Sequence, residues 1–432
     1  MSAFALGLSG IAVMFALLFL RQPVWLALAL TGIFGNILLN SLGMAQYVAG
    51  TVFFDTASNY NLSVIPLFVL MGEVASGSRM SGELFKAARV ILSGIRGGLA
   101  VASLAASGAF GAICGSSVAT AASMTRIALP EMRKAGYDDG YASGSIAAGG
   151  SLGILIPPSI ILVIYGSIAE ASVARLFAAA LFPGIVLMLI YIAVALLIAR
   201  RSGNVPREAA ASLLERILAL RHAWQFALLF VVTIGGIYAG VFSPNEAASV
   251  GAFGAIVLGF LRRSLSLDGL VKAVQTSVIV SCALFMIILG ATLFSQFIVQ
   301  TRLPVTLLQL AQDAGLSPAL VIGLIILIYV VMGCFLEGIG MVLITVPVFL
   351  PVVTGYGFDP ILFGVLVAVL VELGLITPPV GMNLFIIRAQ VPDMPMKVLY
   401  RGITPFLIAP LILIALILAW PPLTLWLPGV LY

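Results

Sequence analysis

Charge is scarce in this sequence. Of 432 residues only 21 are Lys or Arg and 16 are Asp or Glu, while 62% are hydrophobic. A soluble domain could not bury such an apolar surplus. Histidine is rarer still: His222 is the only one, which leaves little capacity for metal ligation. The three cysteines, Cys114, Cys282 and Cys334, lie in apolar sequence and cannot build a disulfide framework. His-Glu-x-x-His, Gly-x-Ser-x-Gly and P-loop patterns are missing, which argues against a membrane enzyme. The chain reads as one whose main solvent is lipid.

Apolar stretches long enough to cross a bilayer recur, among them Phe4 to Leu20, Val24 to Leu42, Phe177 to Ala199, Trp224 to Val241 and Ile403 to Trp420. A span needs about 20 residues. Met1 to Leu20 lacks the basic start and cleavage site of a signal peptide and reads as a retained helix. The net charge of +5 is distributed by loop, which speaks for topology and against nucleic-acid binding. Eighteen of the 21 basic residues fall in connections that share one side, Arg126, Arg175 and Arg302 being the exceptions, whereas Gly43 to Leu62 and Val352 to Pro360 carry none. The basic side is expected to face the cytoplasm. Trp224, Trp420, Phe53 and Phe54 suit interface anchoring or lipid contact, and His222 a solvated interfacial place in the basic linker.

The chain repeats itself. Gly153-Ile-Leu-Ile-Pro-Pro158 returns 221 residues later as Gly374-Leu-Ile-Thr-Pro-Pro379, Leu129-Pro130 as Leu350-Pro351, and Gly136-Tyr137-Asp138 as Gly357-Phe358-Asp359. Counting spans against basic loops gives five crossings per copy, and an odd number inverts the second. The expected organisation is a first repeat over 1–200, a cytoplasmic basic linker over 201–222 and an inverted repeat over 223–432, with both termini periplasmic. The stretches at about 97–130 and 318–351 begin and end on the same side and are interrupted midway, so each reads as a re-entrant hairpin. Those at about 142–168 and 360–387 read as broken helices. The fold class is an all-α polytopic membrane protein with two inverted-topology repeats.

Broken backbone inside a membrane costs several kcal/mol unless protein, water or an ion satisfies it. Here each copy carries two breaks: a hairpin tip (Gly111 to Thr120, Gly333 to Gly340) and a Gly-x-x-x-Pro-Pro element. Paired breaks in inverted repeats point to a midplane site where half-helix N-termini attract an anion and unwound carbonyls a cation such as Na+.

Gly150-Gly-Ser-Leu-Gly-Ile-Leu-Ile-Pro-Pro-Ser159, Cys114-Gly-Ser-Ser-Val-Ala-Thr120, Ile65-Pro-Leu-Phe68 and Glu372-Leu-Gly-Leu-Ile-Thr-Pro-Pro-Val-Gly-Met382 resemble the DctM-like large membrane subunit of tripartite ATP-independent periplasmic (TRAP) transporters, nearly end to end. The resemblance implies an elevator-type secondary transporter of the bacterial inner membrane, related to ion transporters. It would be driven by Na+ and fed by a periplasmic substrate-binding protein. A separate small four-helix membrane subunit is implied, and no other cofactor. By resemblance and symmetry, one Na+ lies among Ser116, Ser117, Thr120, Gly153, Ile156 and Pro158, and a second among Gly338, Gly340, Gly374, Thr377 and Val380. The expected cargo is an organic anion, sialic acid, a C4-dicarboxylate or another acid, with Arg126, Ser159 and Asn383 as candidate contacts.

Ionisable residues within spans are costly and therefore functional candidates. Glu337 could carry a proton or approach a cation, and Arg126 could pair with cargo or with Glu73. Glu372 and Glu73 read as structural. The segments Ser81 to Ile95 and Leu303 to Ala314 are amphipathic and read as arms joining a moving body to a stator. A stand-alone Na+/carboxylate symporter of similar architecture is the alternative, followed by a passive channel.

Overall fold

The structure is a computed structural model that describes residues 2–202 and 205–432. Met1, at the start of the first expected span, and Gly203 and Asn204, within the expected linker, lie outside the described residues. The first half comprises α1 (Ala3–Phe19), α2 (Val24–Leu39), α3 (Leu42–Ser58), α4 (Val64–Gly77), α5 (Met80–Ile91), α6 (Gly98–Cys114), α7 (Ser117–Lys134), α8 (Asp139–Leu155), α9 (Ile160–Ile168) and α10 (Val173–Ser202). The second comprises α11 (Leu213–Phe230), α12 (Gly236–Tyr238), α13 (Pro244–Leu261), α14 (Leu267–Gln300), α15 (Leu303–Asp313), α16 (Pro318–Gly333), α17 (Gly338–Gly355), α18 (Pro360–Ile376), α19 (Met382–Gln390), α20 (Met396–Ile403), α21 (Ile408–Ala419) and α22 (Pro422–Leu431).

One order recurs: a short arm helix (α5, α15), a hairpin (α6–α7, α16–α17), a broken helix (α8–α9, α18–α19) and a span (α10, α20–α21). Both arms begin after a left-handed residue, Arg79 at φ 62° and Arg302 at φ 55°. The Gly-aromatic-Asp repeat acts as a stop and a start. Gly136 and Gly357, at φ 81° and 84°, turn the chain out of α7 and α17 in a conformation that favours glycine. Two residues on, Asp138 accepts the Tyr141 N–H at 3.1 Å and caps α8, and Asp359 accepts those of Ile361 and Leu362 at 2.7 and 3.2 Å and caps α18.

Among the described residues, eight helical stretches are long and apolar enough to cross a membrane, and six shorter apolar helices accompany them. Exposed side chains on their outer faces, such as Phe34, Phe253, Ile279 and Leu327, need an apolar solvent. In contrast, every residue from Gly140 to Leu155 on α8 and from Leu362 to Ile376 on α18 is buried, so these two helices form the protein's axis. Small residues allow backbones to touch: a Cβ on Gly111 of α6 would lie 2.6 Å from Gly153 Cα, and one on Gly374 would lie 2.7 Å from Gly333 Cα. The Tyr165 hydroxyl of α9 donates to the Pro360 carbonyl at 2.5 Å and ties the two repeats together.

Three local expectations are refined. Gly43 to Leu62, read as an uncharged connection, contains helix α3, whose first turn is capped by Ser41 through the Met44 N–H at 3.3 Å. The second half of the linker is helical as well: Ser212 and Glu215 form a capping box that starts α11. Residues 205–211 instead lie as an extended strap on the α5–α6 connection. There Arg207 Nε donates to the Gly94 carbonyl at 2.5 Å, the Ala211 N–H donates to Ser93 Oγ at 2.9 Å, and Arg89 pairs with Glu208 at 2.6 Å. His222, half-exposed, pairs with Glu83 of arm α5 at 2.5 Å rather than resting in solvent alone.

Candidate functional site

The first hairpin turns in only two residues. Gly115 is left-handed (φ 64°) and Ser116 caps α7, its hydroxyl accepting the Ala119 N–H at 3.4 Å. Gly111, read as part of the break, stays helical and serves the contact with Gly153. α8 ends at Leu155, and Ile156, Pro157 and Pro158 are non-helical, with a cis bond between the prolines. Ser159 then caps α9 through the Leu162 N–H at 3.3 Å. The second repeat matches: residues 334–337 separate α16 from α17, and residues 377–381, again with a cis Pro378–Pro379 bond, separate α18 from α19.

Both hairpin tips, and the helix ends that flank the two Pro-Pro breaks, border one cavity of about 320 Å³. Ser116 and Ser117 at the start of α7, Ile160 and Ile161 at the start of α9, Gly338 and Ile339 at the start of α17, and Met382 and Ile386 on α19 line it. Four half-helix N-termini therefore converge there. Each carries roughly half a positive charge from its unpaired N–H groups, an arrangement that favours an anion. Gly115, Ile154 and Leu375, from the ends of α6, α8 and α18, complete the wall with Glu337.

The helix C-termini beside the breaks carry unpaired carbonyls. Gly153 packs so closely on the first tip that a Cβ there would sit 2.9 Å from Thr120 Oγ1 and 3.0 Å from the Ser116 carbonyl oxygen. That cradle, with the last carbonyls of α8, is an uncharged, all-oxygen set in which the Thr120 hydroxyl donates to the Ser116 carbonyl at 2.8 Å. At the second break a Cβ on Gly374 would lie 3.1 Å from the Gly333 carbonyl oxygen. Thr377 donates its hydroxyl to the Leu373 carbonyl at 2.5 Å, keeping lone pairs to accept, and Val380 lies half-buried in the same non-helical stretch. Gly338 packs against Val371, whereas Gly340 faces Val24 of α2 and stands apart from Gly374.

Asn383 is fully buried and links the repeats: its side-chain oxygen accepts from Ser117 Oγ at 3.1 Å, and its amide donates to the Ala147 carbonyl at 3.3 Å. Ser117 is thus committed to the opposite repeat. Arg126 is not at the cavity. It lies nine residues beyond Ser117 on α7, about 13 Å along the helix, and lines a separate cavity of about 650 Å³ with Glu73. Glu372 is fully buried on α18, and among the described residues its carboxylate oxygens have no hydrogen-bond partner.

At the basic end the side chains are ionic. Arg89 of α5 joins Glu131 of α7 at 2.8 Å, and Arg133 pairs with Asp139 at 2.7 Å and Asp393 at 3.0 Å. The Glu131 carboxyl is held below the usual range, first by the Lys134 hydrogen bond, which exceeds the opposing cost of burial, with smaller help from Arg89.

Inverted hairpins and broken helices meeting at one cavity define a polytopic membrane transporter. A family model described as "Tripartite ATP-independent periplasmic transporter, DctM component" matches residues 11–423, and the chain belongs to that family. It is 36% identical over 377 residues to the C4-dicarboxylate TRAP transporter large permease protein DctM of Pseudomonas aeruginosa, covering 87% of this chain and 88% of that one. It is 32% identical over 418 residues to the sialic acid TRAP transporter large permease protein SiaM of Vibrio cholerae, covering 95% and 96%. To the ectoine/5-hydroxyectoine large permease UehC of Ruegeria pomeroyi it is 33% identical, covering 85% and 86%. Among solved structures, the YdaH transporter of Alcanivorax borkumensis shares the fold at 16% identity, covering 89% of this chain and 91% of that one with a TM-score of 0.61.

Proposed function

We propose that this chain carries a small organic anion, a carboxylate such as sialic acid or a C4-dicarboxylate, into the cytoplasm by Na+-coupled secondary transport. The observation that carries the reading is the convergence of four half-helix N-termini on one cavity, which favours an anion without encoding its remainder. Two relatives named for sialic acid and C4-dicarboxylates support the cargo class. Bound Na+ supplies positive charge at the carbonyl-rich breaks and the energy of its gradient. Ser116, Thr120 and Gly153 hold the first site, and Gly374, Thr377 and Val380 the second. Asn383 and the caps Ser116 and Ser159 keep the half-helices aimed at the cavity.

The hairpins and broken helices move as one body in an elevator cycle, with α2, α4 and α14 in the stator and α5 and α15 as arms. The chain is no enzyme. Its partners are a small four-helix membrane subunit and a periplasmic substrate-binding protein, its place the bacterial inner membrane, and both termini are periplasmic. Purified complex in proteoliposomes tests this: accumulation of a carboxylate from a panel of succinate and sialic acid should saturate and collapse with the Na+ gradient. Non-saturable flux indifferent to Na+ would instead mark a channel.

A further inference from the structure

The cavity that holds Arg126 lies between α7 of the first hairpin and helices α4, α5 and α14. Its charged lining is Arg79, Lys86, Arg126 and Lys272 against Glu73 and Glu83. Lys86 and Glu83 pair with each other at 3.0 Å, which leaves three cations facing one acid. Arg126 is exposed, and among the described residues no ion pair or hydrogen bond reaches it; Glu73, across the cavity, feels its charge. Beside it, Ser123 on the same face of α7 is hydrogen-bonded to Ser76 of α4 at 3.0 Å. The cavity sits on the basic side of the protein, since α7 runs from the tip towards Arg133 and Lys134, and α14 begins just after Arg262 and Arg263.

An arginine in a membrane segment is expensive unless water or a partner meets it. Here it faces a vestibule of about 650 Å³ with a positive lining, which concentrates anions. About 13 Å along α7 separates Arg126 from the tip cavity, and no residue lines both cavities. We infer that Arg126 marks a second, cytoplasmic anion station, where a carboxylate released from the central cavity is held before it leaves. The guanidinium presents a planar fork suited to a carboxylate. Glu73 lowers the occupancy of that station by repulsion and favours release.

This inference rests on the transport reading, and one experiment separates their failures. Inside-out and right-side-out proteoliposomes of the complex are loaded with succinate or sialic acid, whichever the wild type moves, and half-saturation is measured from each face. Arg126→Gln should raise the cytoplasmic-face value by roughly tenfold, the worth of a charged hydrogen bond, leave the periplasmic-face value unchanged, and weaken its dependence on ionic strength. Arg126→Lys should recover part of the loss. Glu73→Gln should shift the cytoplasmic value in the opposite direction, downward. If Arg126 only steadies Glu73, the Gln variants at both positions will shift it the same way, and the inference is overturned. Equal effects on both faces, or none, overturn it as well while leaving transport intact. A wild type that moves neither anion removes the transport reading and this inference together.

Discussion

Gly153→Ala places a methyl group where the first ion cradle closes. The new carbon would meet Thr120 Oγ1 at 2.9 Å, the Ser116 carbonyl oxygen at 3.0 Å and its carbon at 3.2 Å. The hairpin tip must therefore back away from α8, and overpacking of this kind costs about 1–3 kcal/mol. If the closed geometry is what binds Na+, the same energy appears as a rise of roughly 5- to 160-fold in the Na+ concentration that half-saturates uptake. Thermal denaturation in detergent with and without Na+ gives a second measure, because a ligand stabilises only the form that binds it. Wild type should gain stability from Na+ and Gly153→Ala should not. Adding Thr120→Ala relieves the side-chain contact but not the carbonyl one, so thermal stability should partly return without Na+ sensitivity. Gly43→Ala, where nothing lies within 4 Å, is the control. A folded Gly153→Ala protein with wild-type Na+ dependence would falsify the assignment of this cradle.

Asn383→Ala strands the buried Ser117 hydroxyl and removes the added bond to the Ala147 carbonyl, which keeps its partner within α8, and should lower stability by about 1–3 kcal/mol; thermal denaturation checks it, and Ser117→Ala should cost less. Cysteines at Ser76 and Ser123, whose hydroxyls are 3.0 Å apart across the α4–α7 contact, should stop transport when cross-linked and release it on reduction; transport with the link closed would sink the elevator mechanism. Because the Glu131 carboxyl is held below its ordinary range by Lys134 and Arg89, its contribution is present at neutral pH and lost as pH falls through that lowered value. Glu131→Gln should cost less than about 1 kcal/mol at neutral pH, as these pairs are partly exposed, and should flatten the acid-side decline in a denaturation series.

The parts of the fold legible in the sequence are those written in local chemistry. Proline and glycine mark the breaks because they forbid or relieve helix, and the Gly-aromatic-Asp pairs mark a stop and a start at fixed spacing. Gly111 and Gly340 show the limit: glycine also serves close packing within helices, so the tips are narrower than composition suggests. The convergence of four half-helices, two from each repeat, is a property of the assembled fold. So is the bond from Ser117 to Asn383, 266 residues away. Arg126 reads from the sequence as part of the first hairpin, but only its helical distance from the tip sets it in another cavity. His222 in a basic segment gives no sign of Glu83, which arrives from an arm helix far back in the chain.

The most direct measurement is the structure of the complex with Na+ and a transported carboxylate bound. The account predicts the carboxylate in the cavity of about 320 Å³, with its oxygens directed at the starts of α7, α9, α17 and α19 and ion density beside Gly153 and Gly374. A carboxylate bound outside that cavity, with the four half-helix N-termini facing only solvent or lipid, contradicts it.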